Sequence, residues 1–409
     1  MIPDPTRPQA RAEGSWTLYS SELSPFGLKL DLMLDFAGVP HHWCPAQASF
    51  LEALRVERRV RQIRSGRRAL TWPERNEWQE FPAVPFLLGP EGQDLFDSSA
   101  IGEWLDQQGS PARAGTTALL PGDDPALRLA IRLVDEYLDE FGLYLVHHNR
   151  WVVSARDNDA GARLAREFAS LLGPLAAVLG PGFSRRQVRR LPYLFSVAPP
   201  DAAFEDLPRG LRPPQREGFP PTHALLEERF AALLAALETR LAESPFLFGP
   251  RLTLADASVY GQLAMNLSDP SAEAWIARDA PTLRAWLDRL SRADFSGHDP
   301  SGPLELAPGL QPLFAEVAEV FVPLMQQNLA AYERVRDTPG ARFNEAGFDA
   351  GLALYDGRLG GHAYRSVAKR FQAGVWRSLR EAFDALTPAE QERLARLLPI
   401  ETTGLDRDF

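Results

Sequence analysis

Cysteine is almost absent, with Cys44 standing alone in 409 residues. A single thiol can form no intrachain disulfide and supplies no Cys-rich metal site, and the reducing cytosol is the natural compartment for such a chain. On the second strand Cys44 reads as a small buried hydrophobe. Lysine is nearly as scarce: of 44 basic residues only Lys29 and Lys369 are lysine, which reads as compositional bias. No apolar stretch approaches the roughly 20 residues of a membrane span. Residues 1–15 mix Pro, Arg, Asp and Glu without an apolar segment, so no signal peptide is expected and the expected location is cytoplasmic. Positive charge is in deficit. At a net charge of −10 the long-range field repels polyanions, which excludes a general nucleic-acid or anionic-membrane binder. There is no internal repeat and no low-complexity tract.

An apolar fraction of 45% and a charged fraction of 24% describe a globular chain, and the length suits two or three domains. After the polar tail, Trp16 to Ser21 reads as a short buried strand, interrupted by Ser24-Pro25-Phe26-Gly27. Dense apolar residues from Leu28 to Ala37 predict a helix, ended by Gly38-Val39-Pro40. His42 to Pro45 restarts an extended segment. Ser49 caps a second, Arg-rich helix expected to reach Arg68. Pro85 to Leu88, the Gly89-Pro90-Glu91-Gly92 turn and Gln93 to Phe96 read as a hairpin, and Ser98 opens a helix to about Gln107. The order is β-α-β-α-β-β-α.

From about Leu127 helical periodicity takes over, as in Leu129, Leu133, Tyr137, Phe141 and Leu145, and again in Leu226, Phe230, Leu233, Leu237 and Leu241. The stretch from about Pro181 to Pro221 shows no helical pattern and is expected to be a long loop or insertion. After a Gly/Pro-rich break at 296–303 a third region begins. There Pro323 predicts a kink in a helix from Leu313 to Val335, Ala353 to Val367 reads as a hairpin, and Thr387-Pro388-Ala389-Glu390 is a capping box.

Four segments in order carry a resemblance. Trp16 to Ser21 followed by Ser24-Pro25-Phe26-Gly27 resembles the first strand and active-site loop of glutathione transferases, closest to the serine-type, tau-like form. Ala83-Val84-Pro85 is similar to the family's cis-proline loop, and Asp97-Ser98-Ser99-Ala100-Ile101 to its acidic-Ser turn. Phe246-Leu247-Phe248-Gly249 with Thr253-Leu254-Ala255-Asp256-Ala257 is similar to the signature before the central buried helix, where Thr253 caps and Asp256 reaches back. The resemblance implies a thioredoxin-like α/β N-terminal domain plus an all-α glutathione-transferase C-terminal domain; the extra, mainly helical C-terminal region lies outside the family's two-domain plan. The divisions expected are a flexible tail at 1–15, a glutathione-binding domain at 16–108, a linker at 109–125, a helical domain at 126–300 and an extension at 301–409.

The same resemblance implies glutathione as co-substrate, a small hydrophobic electrophile, a role in detoxification and a homodimer. A thiol with a pKa of roughly 8.5 is only a few per cent ionised at neutral pH, and lowering it by about two units needs roughly 2.7 kcal/mol. One hydrogen bond to a charged group contributes roughly 1.5–3 kcal/mol, so a single hydroxyl suffices. Ser24 is the candidate donor, with Ser21 or Tyr19 as fallbacks. Read alone, Ser24 is equally the cap of the helix that Pro25 opens. Pro85, in the cis form, would turn the chain so that the Val84 backbone pairs with the cysteinyl part of glutathione, Asp97 would accept from its α-ammonium, and Ser98 at a helix start would bind its carboxylate. For the glycine carboxylate Arg67, Arg68 and Arg75 are the nearest basic residues, with a solvated helix face as the plainer reading. The electrophile pocket is expected around Phe26, Tyr144, His147, His148 and Trp151. A metal is not expected, because adjacent histidines on a helix point apart. Serine in place of cysteine excludes a mixed-disulfide mechanism.

Two other functions stay open. One is a non-catalytic adaptor or ligand carrier, motivated by the extension; the other is a glutathione-dependent isomerase or dehalogenase. Within the extension Tyr355, Tyr364, Arg365, Lys369 and Trp376 are placed either at the cleft, at a dimer edge or in their own core, with core filling the default.

Overall fold

A computed structural model describes residues 14–80, 84–108 and 117–398. Most of the expected tail (1–15), Ala83, much of the expected linker (109–125) and the end of the extension lie outside the described residues.

The first unit is a four-stranded mixed sheet built from β1 (Trp16–Tyr19), β2 (His41–Cys44), β3 (Phe86–Leu88) and β4 (Asp94–Phe96), in the order β2-β1-β3-β4. β1 and β2 run parallel, in register from Trp16 with His41, and the remaining pairs are antiparallel. Helix α1 (Pro25–Ala37) makes the crossover between the parallel strands β1 and β2. It starts where Ser24 Oγ accepts from Gly27 N with Pro25 in the first turn, and stops at Gly38, whose φ of +67° suits a glycine C-cap. Helix α2 (Phe50–Arg64) opens with a Ser49–Glu52 capping box and ends four residues short of the expected Arg68, where Gly66 turns left-handed. Helix α3 (Ser98–Gln108) closes a thioredoxin-like α/β fold.

The second unit is helical. It comprises α4 (Pro125–Tyr137), α5 (Leu143–His148), α6 (Ala160–Glu167), α7 (Ala169–Leu172), α8 (Ala176–Arg190), α9 (His223–Glu243), α10 (Leu254–Asn266), α11 (Pro270–Asp279) and α12 (Pro281–Leu290). Wide turns at Leu138–Gly142 and Asn149–Val153 continue the path of α4 and α5. The expected loop from Pro181 to Pro221 is corrected in its first part, because α8 runs through Pro181 to Arg190. Gly180 and Gly161 let α8 and α6 touch backbone to backbone: a Cβ on Gly180 would lie 2.4 Å from the Gly161 carbonyl oxygen. Leu191 and Val188 then pack with Leu164, Leu23 and Trp151, and this tertiary burial outweighs the local cost of Gly and Pro.

The C-terminal region contains α13 (Gln311–Glu316), α14 (Val322–Val335), α15 (Glu345–Asp349), the hairpin β5 (Leu354–Leu359) and β6 (His362–Val367), then α16 (Arg370–Asp384) and α17 (Pro388–Ala395). The turn of the hairpin is Gly360-Gly361, both with positive φ, while Asp356 and Gly357 lie inside β5. The bend expected at Pro323 is a wide turn at Val317–Phe321 just before it. One continuous apolar core runs from Leu18 and Leu34 through Tyr137, Phe230 and Leu263 to Phe321 and Trp376. Among the described residues no helix is long and apolar enough to cross a membrane.

Candidate functional site

A cavity of about 790 Å³ opens where the sheet meets the helices, with walls drawn from all three regions. The α/β unit contributes Phe26 from α1, Val84 and Pro85 before β3, and Asp97 and Ser98 after β4. The Val84–Pro85 peptide is cis. Asp97 holds φ at +72°, a strained backbone for a residue with a side chain, and its carboxylate accepts from Ala100 N at 3.0 Å. Ser98 follows it and lines the cavity at the start of α3, where the positive end of the helix favours an anion. Burial pushes the Asp97 carboxyl above its ordinary range against the pull of Ala100 N and Lys29.

Ser24 caps α1 and does not line this cavity; it precedes Phe26, which does. As a cap its oxygen only accepts, so its hydroxyl proton remains available for donation. The loop before it is clamped by two residues that sequence reasoning passed over. Arg150 donates to Leu23 O at 3.1 Å while pairing with Asp269 at 2.9 Å, and Glu167 accepts from Glu22 N at 3.2 Å beside the Ser21 hydroxyl. Tyr19 points to α2, where its phenol donates to Glu57 at 2.5 Å.

The helical wall is acidic. Asp135, Glu136, Asp139 and Glu140 all line the cavity. Lys29, from α1, lies 1% exposed between Asp135 at 2.6 Å and Asp139 at 2.7 Å, with Ser99 Oγ at 2.8 Å, and so ties the α/β unit to α4. Burial opposes its charge, but the two carboxylates outweigh that and hold it firmly protonated. Asp139 is pushed up to about 7, by burial first, with Asp135 and Asp97 working against the Lys29 pull. Glu140 is likewise pushed up to about 7 by burial, although Gln372 donates to it at 2.9 Å.

Tyr144 lines the same cavity, 2% exposed. His147, His148 and Trp151 lie elsewhere. His147 bonds the Leu143 carbonyl at 2.9 Å, His148 is buried against Ser196 at 2.9 Å, and Trp151 packs on Leu23 and Phe183. Burial holds His147 down to about 3 and also lowers His148, so both imidazoles are neutral. At about 100° per residue the spacing of these four puts them on one stripe, yet only Tyr144 meets the cavity, while the other three turn to the Leu143 carbonyl, Ser196 and Phe183. The three arginines are engaged locally: Arg68 with Asp94, Arg67 with Ser65, and Arg75 with the Ile63 carbonyl at the end of α2.

The third wall belongs to the C-terminal region. Lys369 and Gln372 reach in at the start of α16, and both bond the Tyr144 oxygen. Trp78, from the long segment between α2 and β3, packs over α16 so tightly that a Cβ on Gly374 would lie 2.6 Å from its Cβ. Tyr355, Tyr364 and Trp376 are buried in the core, and Arg365 pairs with Asp356 across the hairpin. The scarcity of lysine was the one sequence signal that could have pointed to Lys369.

Residues 213–289 match the family model described as glutathione S-transferase, C-terminal domain. No curated protein sequence matches the chain. Solved structures to which it is similar include a glutathione S-transferase of Pseudomonas fluorescens, at 17% identity over 67% of this chain and 93% of that one with a TM-score of 0.33. Others are a glutathione S-transferase of Ceriporiopsis subvermispora in complex with glutathione, at 16% over 68% and 98% with 0.39, and the beta-etherase LigF of a Sphingobium strain, at 17% over 74% and 99% with 0.40. The stretch 213–289, which holds α9 to α11 and most of α12, is thus the part of the chain that matches the glutathione S-transferase C-terminal domain; it lies behind a thioredoxin-like α/β unit and ahead of a further C-terminal region.

Proposed function

We propose that this chain is a glutathione transferase-like enzyme. Glutathione lies along Val84 and Pro85 with its γ-glutamyl end at Asp97 and Ser98, and Ser24 donates to its sulfur for attack on a small electrophile. The observation that carries this reading is the convergence of Phe26, Val84, Pro85, Asp97 and Ser98, distant in sequence, on the wall of one cavity. Val84 immediately precedes β3 and lines the cavity, where its backbone can pair with an extended peptide. The left-handed Asp97 and the start of α3 suit an ammonium and a carboxylate side by side, which is the chemistry of an α-amino acid end. Ser24 supplies the remaining element, a hydroxyl whose cap uses only its acceptor side.

Calorimetric titration with glutathione and turnover of a chlorinated aromatic test this. Ser98→Ala is expected to weaken glutathione binding about tenfold, the worth of one hydrogen bond to a charge. Ser24→Ala is expected to lower kcat/KM about 10²-fold, the equivalent of a two-unit loss in thiol acidity, with little change in binding. Unchanged turnover in Ser24→Ala removes the serine from the mechanism, and no heat with millimolar glutathione removes the function.

A further inference from the structure

Among the described residues, large apolar side chains stand exposed almost solely at one place. Phe50, Leu51 and Leu54 do so on α2, and Leu175 and Val178 at the entry to α8; Leu352 is the one other. They protrude, with Val178 73%, Leu175 69% and Leu51 62% exposed. The inner side of α2 is already spent on Ala53, Val56, Val60 and Ile63, which are buried, so its outer apolar residues are surplus to the fold. Helix α7 joins the two groups, because its Leu171 packs on that inner cluster and the chain then runs on into Leu175. Each helix continues its exposed stripe in arginine, at helical spacing. Along α2, Leu51 and Leu54 give way to Arg55, Arg58 and Arg61; along α8, Val178 gives way to Arg185, Arg186 and Arg189, all six exposed. Acid is missing here. No Asp or Glu occurs from Phe168 to Pro200. Glu52 of α2 turns to His42, and Glu57 to Tyr19 and Arg61. Among the described residues no carboxylate pairs with Arg55, Arg58, Arg185, Arg186 or Arg189.

Single exposed apolar residues need no explanation, but a cluster of them marks a contact surface. Side chains that stand out this far enter a soft apolar medium more readily than they fill a partner's groove, and Phe and Leu beside a basic stripe are the pattern of a helix lying in a lipid interface. We propose that this face of α2 and α8 seats the protein on an anionic lipid surface, with the five apolar side chains entering the boundary between headgroups and acyl chains and the arginines meeting lipid phosphates. An arginine stem lies along apolar surface while its guanidinium pairs with two phosphate oxygens at once, so both parts of the stripe are used. The net charge of −10 does not oppose this, because at physiological salt fields fade within about 8 Å and only the charges on the touching face count. This lipid contact goes beyond the glutathione reading and needs none of the cavity residues.

The full chain is floated with vesicles of phosphatidylcholine alone and of phosphatidylcholine mixed with phosphatidylglycerol. Binding to the anionic vesicles is expected to be on the order of 10²-fold tighter, and to weaken as salt is raised from about 50 mM to about 500 mM. Leu51→Ser combined with Leu54→Ser and Val178→Ser is expected to lower it by at least about tenfold. Arg58→Gln and Arg186→Gln should each lower anionic binding about fivefold. Urea midpoints are measured alongside, and Leu51→Trp, which enlarges the apolar surface, should strengthen binding severalfold, an effect that loss of fold does not give. No binding to the anionic vesicles, equal binding to both kinds, or binding indifferent to the apolar substitutions overturns the proposal. Capture of a soluble helical peptide of Leu and Glu without any binding to vesicles also overturns it, and assigns the face to an acidic protein.

Discussion

Gly261 of α10 stands so close to Lys29 of α1 that no added carbon fits between them. A Cβ on Gly261 would lie 2.6 Å from the Lys29 Cβ and 2.5 Å from the Pro25 carbonyl oxygen. The two helices meet here with almost no spacer, which is what lets Lys29 reach Asp135 and Asp139 across the interface.

Gly261→Ala should therefore reverse the usual helix preference. In an exposed helix interior the change stabilises by about 1 kcal/mol. Here overpacking against backbone should destabilise by about 1–3 kcal/mol, read as a lower urea midpoint with unchanged slope. A raised midpoint would show that the interface yields.

Lys29→Met leaves two buried carboxylates without their cation, and breaking one side of a buried ion pair costs about 3–5 kcal/mol. The pH dependence carries a sign. The folded Asp139 already binds its proton up to about 7, above the unfolded carboxyl, so its contribution turns unfavourable as pH rises from the unfolded value toward 7. Without Lys29 that unfavourable trend steepens. The deficit of the variant in chemical denaturation should be smaller at pH 5 than at pH 8, and an equal deficit at both would detach Lys29 from the carboxylates.

Glu167 provides a second titration. It is 2% exposed, and burial, followed by the charge of Glu22, pushes its carboxyl up to about 8. A folded acid with a raised pKa favours the native state only while protonated, so its contribution to stability is lost between the unfolded value near 4.5 and pH 8. Glu167→Gln should lose less Tm than the unmodified protein between pH 5 and pH 8. Parallel curves would place the titration elsewhere.

Much of the fold was legible because it is written in local chemistry. The Ser24-Pro25 start, the Gly38 stop and the Ser49–Glu52 box set α1 and α2 by backbone hydrogen bonding within a few residues. Gly360-Gly361 likewise fixed the turn of the late hairpin by its tolerance of positive φ. The Thr253–Asp256 box gave α10 its start, with Asp256 also accepting from Leu247 N at 2.8 Å. Helix α8 was missed because Gly180, Pro181 and Gly182 speak against a helix locally, and only contact with α6 speaks for it.

The site divides in the same way. The sequence by itself determined the segments that present Phe26, Val84-Pro85 and Asp97-Ser98, since each lies at a strand end or helix start marked by its own turn residues. It could not choose among Tyr144, His147, His148 and Trp151, because which side of a helix faces a cavity depends on what packs against the other sides. Only the tertiary structure placed Tyr144 at the cavity, turned the two histidines away from it, and brought Lys369 and Gln372 from more than 220 residues away onto one phenol oxygen. Contacts of that separation leave no local pattern, because they arise from how whole helices stack and not from any preference of the residues beside them.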